Sequence, residues 1–233
     1  MVPRLLVFDL DGTLIDSHID LANSINAMLA HLGRPELPLE VISSYIGDGA
    51  TLLVRRALGD PEGDVHDEQY VNEALEYFLA YYSVHKQDYT FVYPGVEEAL
   101  AAIRAQWPGI AMAVLTNKPV GPSRAICAHF GLDRFFFQNY GGNSFYTKKP
   151  DPSGLLALMA EASALDGAAA ITPAETVMIG DSDVDILTAR NCGARSIGCT
   201  FGLAPQSLAE APPDALADSP LEWPAAVKTV VSG

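Results

Sequence analysis

Asp9 and Asp11 stand one residue apart at the end of an apolar run, LLVFDLDGTLIDS over residues 5–17. Two carboxylates this close repel when both are ionised, so a folded site that holds them together needs positive charge beside them. A plainer role exists, since Asp and Gly end strands and Asp11-Gly12 is a common turn dipeptide. Two further strand-like runs end in polar groups that a strand does not need: Thr116-Asn117 closes GIAMAVLTN, and Gly180-Asp181-Ser182-Asp183 follows TVMI. In an open parallel sheet ligands bind outside the carboxyl ends of the strands, where groups far apart in the chain converge. Lys149, in TKKPDPS, is the candidate for balancing their charge. Pro150 is expected to hold it in a stiff extended segment, ahead of a helix starting at Asp151-Pro152. Each residue also has an ordinary use: Lys149 as a solvated lysine, Thr116 as a strand end, Asp183 as a helix cap. Lys148 reads as surface.

The elements that must position these groups are legible as runs. Five strand-like stretches, at 4–10, 109–117, 134–142, 176–182 and 194–202, lack polar alternation, which suits a parallel sheet covered on both faces. Between the first two lies a long stretch with helical periodicity. Ser17 can cap a helix with Leu21, Ile25, Met28, Leu29 and Leu32 on one face, stopped by Gly33. Shorter helices are expected near 39–45 and 50–58. A longer one, 67–85, carries Val71, Leu75, Phe78, Leu79 and Tyr82 at helical spacing. The expectation is an α/β, doubly wound parallel-sheet core (residues 1–16 and 91–233) with an inserted α-helical unit (17–90) packed over the sheet's carboxyl end. Pro94 is expected to start the next core helix. The acidic loop at 58–68 reads as solvated.

Composition narrows the partners. The 233 residues are 49% hydrophobic and 18% charged, with net charge −15 and no Lys/Arg cluster, which argues against a nucleic-acid surface. Cys127, Cys192 and Cys199 are odd in number and lack C-x-x-C spacing, so they read as free thiols in a reducing compartment. No apolar run is long enough for a membrane span, and the N-terminal stretch is too short for a signal peptide. A cytoplasmic monomer or homodimer is expected.

DLDGTLIDS, LTN, KKP and GDSDVD, in that order, resemble the four motifs of the haloacid dehalogenase superfamily, over nearly the whole chain. Within it, YIGDGATLLVRRAL, VYPGVEEAL, LTNKP and KKPDPSGLL look most like bacterial phosphoglycolate phosphatases, although Gly47-Asp48-Gly49 stands where those enzymes often have Gly-Asn-Gly. The resemblance implies a Rossmann-like core, an insert acting as a cap, and Mg²⁺ as cofactor. It also implies that Asp9 attacks phosphorus and binds Mg²⁺, while Asp11 lends its backbone carbonyl to the metal and its side chain to acid–base catalysis. Thr116, the Asn117 backbone N–H and Lys149 would stabilise the transferring phosphoryl group. Asp181 would complete the metal shell, with Asp185 behind it, and Thr13 would hold the turn at Gly12.

Specificity would lie in the insert, where Gly47, Asp48 and Gly49 precede a helix N-terminus and Arg56 is the candidate carboxylate receiver. Arg55 reads as surface. An acid at position 48 facing an anionic substrate would weaken binding. The substrate expected is 2-phosphoglycolate, the alternative being a phosphatase or phosphomutase acting on a sugar phosphate, pyrophosphate or nucleotide. Asp11 and Asp181 argue against a dehalogenase, and Thr13 and Gly180 against a phosphomutase. A signalling receiver domain uses similar groups but is much shorter and carries no such insert.

Overall fold

The computed structural model describes residues 2–166 and 169–232. In chain order its elements begin β1 (Leu5–Phe8), β2 (Ile15–Asp16), α1 (His18–His31), α2 (Leu39–Ser43), α3 (Ala50–Leu58), α4 (Glu68–His85) and β3 (Phe91–Val92). They continue α5 (Val96–Gln106), β4 (Ala111–Leu115), α6 (Val120–His129), β5 (Gln138–Tyr140), α7 (Ser153–Asp166) and β6 (Thr176–Gly180). Last come α8 (Asp183–Cys192), β7 (Arg195–Cys199), β8 (Ala215–Ala217) and α9 (Trp223–Ser232). The chain forms two compact units, one comprising residues up to Asp16 and from Val92 onward, the other Ser17–Phe91.

The first unit is built on a six-stranded sheet in the order β5-β4-β1-β6-β7-β8, every pairing parallel. Alternate residues of each strand face opposite layers, as the two-residue repeat requires. Leu6, Phe8, Val114, Val177 and Ile179 pack with α5, α6 and α9, while Leu5, Val7, Ala113, Leu115 and Met178 pack with α7 and α8. The connections leave β1 toward β4 and β6 toward β7 in opposite directions. Their carboxyl ends are therefore the crevice of this sheet.

Three expectations about this unit need correction. Residues 134–142 are not one strand, since Leu132–Phe135 is a 3₁₀ turn after left-handed Gly131 and only Gln138–Tyr140 pair. The aromatic residues that suggested a strand serve packing instead, with Phe135 under the guanidinium groups of Arg104 and Arg134. Lys149 lies in a turn with a cis Lys149–Pro150 bond, and helix α7 starts at Ser153. α5 starts at Val96 behind left-handed Gly95, so Pro94 precedes the helix. β8 and α9 had no expectation: the run Ala-Leu-Ala is a strand through its pairing with β7, not through propensity.

The second unit has its own core, in which Ile25, Met28 and Leu29 of α1 meet Val71, Phe78 and Tyr82 of α4. Asp67 caps α4 by accepting from the Tyr70 N–H at 2.8 Å. Ser17 stands at the start of α1 without a side-chain cap bond, and Gly33 follows the helix in the left-handed conformation. Fully buried Asp20 accepts from the Tyr89 N–H, the Thr90 N–H and the Thr90 hydroxyl, tying the first helix to the far end of the unit. The loop at 58–68 is not merely solvated. Asp60 is fully buried, accepts from the Val65 N–H and pairs with Arg55 at 2.8 Å, which also bonds Glu68. Arg55 is thus an internal anchor rather than a surface residue. Among the described residues no helix is long and apolar enough to cross a membrane.

Candidate active site

Phe8 pairs in register with Val114 on one side and Ile179 on the other, so the residues after β1, β4 and β6 emerge together. This parallel register gathers Asp9, Thr116 and Asp181, which the chain separates widely. Asp9, Asp181 and Asp185 are all buried and present carboxylate oxygens within 4.8 Å of one another. Lys149, 4% exposed, places its Nζ 2.9 Å from Asp9 Oδ1 and 2.6 Å from Asp185 Oδ1. Asp183 lies outside this group. It is the first residue of α8, whose cap is Ser182 in a capping box with Asp185.

Glycines make the crowding possible. Gly12 adopts φ +82°, and a Cβ there would fall 2.1 Å from Asp181 Oδ2. A Cβ at Gly180 would lie 2.1 Å from Asp185 Cγ, so no longer residue fits at that position as the site is built. Asp181 is fixed by the Leu203 and Ala204 N–H groups at 2.7 and 3.1 Å, and the Thr13 hydroxyl reaches its other oxygen at 3.5 Å. Thr13 thus points at Asp181 rather than serving its own turn.

Burial together with Asp185 and Asp9 pushes the Asp181 carboxyl up to about 8. Burial likewise raises Asp9, to about 6, although Lys149 opposes it. Burial disfavours the Lys149 charge, yet Asp185 and Asp9 more than offset this and hold its pKa above the ordinary lysine value. These carboxyls are short of positive charge. Among the described residues, four carboxyls, of Asp9, Asp11, Asp181 and Asp185, face two ammonium groups, of Lys118 and Lys149, so full ionisation leaves two negative charges unbalanced. Three hard oxygen donors with a deficit of two positive charges fit Mg²⁺ by donor chemistry and by charge. Asp11's side chain is not among the three.

The sequence reading missed Lys118. Its Nζ donates to both oxygens of Asp11, at 2.9 and 3.0 Å, and it is 6% exposed. The Lys118 N–H donates to Thr116 Oγ1 at 3.2 Å, while Asn117 Nδ2 donates to the Lys149 carbonyl at 3.2 Å. The Asn117 side chain therefore anchors Lys149, a use that its backbone N–H leaves open.

The insert residues belong to the second unit. Gly47 and Gly49 take positive φ, +124° and +89°, and Gly49 begins α3. Arg56 is engaged there, its guanidinium 2.6 Å from Asp48 and donating to the Tyr45 carbonyl at 2.9 Å. Asp48 is thus the counter-ion of Arg56, and its charge does not stand alone.

Comparison with known proteins adds a family. The profile described as haloacid dehalogenase-like hydrolase matches residues 6–199. A phosphoglycolate phosphatase of Pseudomonas putida KT2440 is 41% identical over 206 residues, covering 86% of this chain and 71% of that protein. One from Psychrobacter arcticus is 38% identical over 206 residues, covering 87% and 85%. Among solved structures, that of a predicted phosphoglycolate phosphatase from Haemophilus somnus 129pt superposes with TM-score 0.84 at 31% identity, covering 96% of this chain and 97% of that one.

Proposed function

Because the chain belongs to the haloacid dehalogenase-like hydrolases, we propose that it is a Mg²⁺-dependent phosphatase that converts 2-phosphoglycolate to glycolate and phosphate through an aspartyl-phosphate on Asp9. The observation that carries this reading is the meeting of Asp9, Asp181, Asp185 and Lys149 at the carboxyl ends of the central strands. The preference for phosphoglycolate rests on the activity named for the relatives.

A bound Mg²⁺ would neutralise charge between the nucleophile and a phosphate dianion. Asp9 attacks phosphorus in line, and the P–O bond to the leaving group breaks. Asp11 gives that alkoxide a proton, then takes one from the water that attacks the phosphorylated Asp9, releasing phosphate. Lys149, the Thr116 hydroxyl and the Asn117 N–H hold the equatorial oxygens, where a loose transition state spreads its charge. Selectivity for the rest of the substrate is assigned to residues of the second unit, Arg56 first among them.

A second reading, a substrate without a carboxylate such as a sugar phosphate, is favoured by one feature: Asp48 already satisfies Arg56. A panel of phosphoglycolate, sugar phosphates, pyrophosphate and nucleotides, ranked by kcat/KM with Mg²⁺, separates the two. Phosphoglycolate should lead. Asp9→Asn should remove turnover with the fold intact, and chelator should silence the native enzyme until Mg²⁺ returns. Turnover that survives either treatment would sink the mechanism.

A further inference from the structure

The turn after β4 delivers three functional groups in three consecutive residues. Thr116 and Asn117 are accounted for by the phosphoryl group, whereas Lys118 has no place in that scheme. Its ammonium is nonetheless buried and held to both oxygens of Asp11, 107 positions away in the chain. Burying a lysine is costly unless its partner is well placed, and a charge-assisted contact to both oxygens fixes where the carboxylate head lies. The turn that aims Lys118 is itself rigid. Its N–H bonds Thr116 Oγ1, its carbonyl accepts from the Gly142 N–H at 2.9 Å, and a Cβ at Gly141 would lie 2.5 Å from that carbonyl oxygen.

We propose that Lys118 is a positioning residue that holds the Asp11 carboxylate apart from the Asp9–Asp181–Asp185 group, so that Asp11 faces the leaving group instead of becoming a further metal ligand. The inference rests on the acid–base role of Asp11 in the reading above. Without the ammonium, the Asp11 carboxylate would be free to turn toward a cation held by Asp9, Asp181 and Asp185, and a carboxylate bound there would not meet the alkoxide.

Lys118→Met and Lys118→Gln should lower kcat for phosphoglycolate by about 10- to 100-fold with KM little changed, the scale at which misplacing a reacting group is felt. p-Nitrophenyl phosphate, whose leaving group needs little protonation, should lose far less when phosphorylation of Asp9 limits turnover. Lys118→Arg should recover part of the loss. The deciding comparison is the double variant: if Lys118 works through Asp11, Asp11→Asn/Lys118→Met should turn over no more slowly than Asp11→Asn alone. Multiplying losses, or a Lys118→Gln effect that appears in KM or falls equally on both phosphates, would overturn the proposal. An Asp11→Asn enzyme with native turnover would instead overturn the acid–base reading, and the proposal with it.

Discussion

Asp181 concentrates the electrostatic tension of the site, since burial and two neighbouring carboxylates raise it to about 8. A carboxyl raised above its unfolded value stabilises the fold at low pH and loses that contribution as pH rises through the folded value. In chelator, the melting temperature should therefore fall between about pH 5 and about pH 9, as Asp9 and then Asp181 ionise without a cation. The Tm gain on adding Mg²⁺ should grow over the same range. A pH-independent Mg²⁺ shift would show that these carboxyls are already ionised in the metal-free protein. Asp9 and Asp181 were legible in the sequence because each ends an apolar run that had no local need of it, and Lys149 because those carboxylates called for a cation. Lys118 was not, because a lysine just past a strand reads as solvated, and only the pairing of β1 with β4 brings Asp11 beside it.

Helix α3 carries the question of specificity as an element. Its Gly49 start and its Arg56 side chain were found from the sequence, but the ion pair that Arg56 makes with Asp48 was not. Eight positions separate the two, more than two helical turns. They meet because positive-φ Gly47 and Gly49 fold the preceding segment back along the helix. A charge-assisted hydrogen bond contributes about 1.5 to 3 kcal/mol, so Arg56→Ala should lower kcat/KM for phosphoglycolate by about 10- to 150-fold and leave aryl phosphate near native values. Asp48→Asn, which frees the guanidinium, should move phosphoglycolate turnover upward. Equal losses on both phosphates would make Arg56 structural, through its bond to the Tyr45 carbonyl. A fall with Asp48→Asn would show that the pair orients Arg56 rather than competing for it. Short elements without strong strand or helix formers, β8 above all, stayed hidden because their state is imposed by neighbours rather than by their own residues.

At the scale of the molecule, the order of the sheet differs from the order of the chain. β1 lies between β4 and β6, with Leu5 opposite Ala111 on one side and Thr176 on the other. The parallel core was legible because its strands are apolar without alternation, but nothing in β1 itself records how distant its partners are. Such non-local pairings slow folding, since a long loop must close before they contribute. Pulse-labelled hydrogen exchange during refolding should protect the amides of α1 and α4, whose contacts close a shorter loop, before those of β1. Simultaneous protection would indicate a single cooperative step. On the ribosome the consequence is sharper. β1 is synthesised well before β4 and β6, and until residues 176–180 follow it lacks its second neighbour in the sheet. Asp9 is therefore made long before the two carboxylates it meets, at positions 181 and 185, and its surroundings are complete only when they arrive.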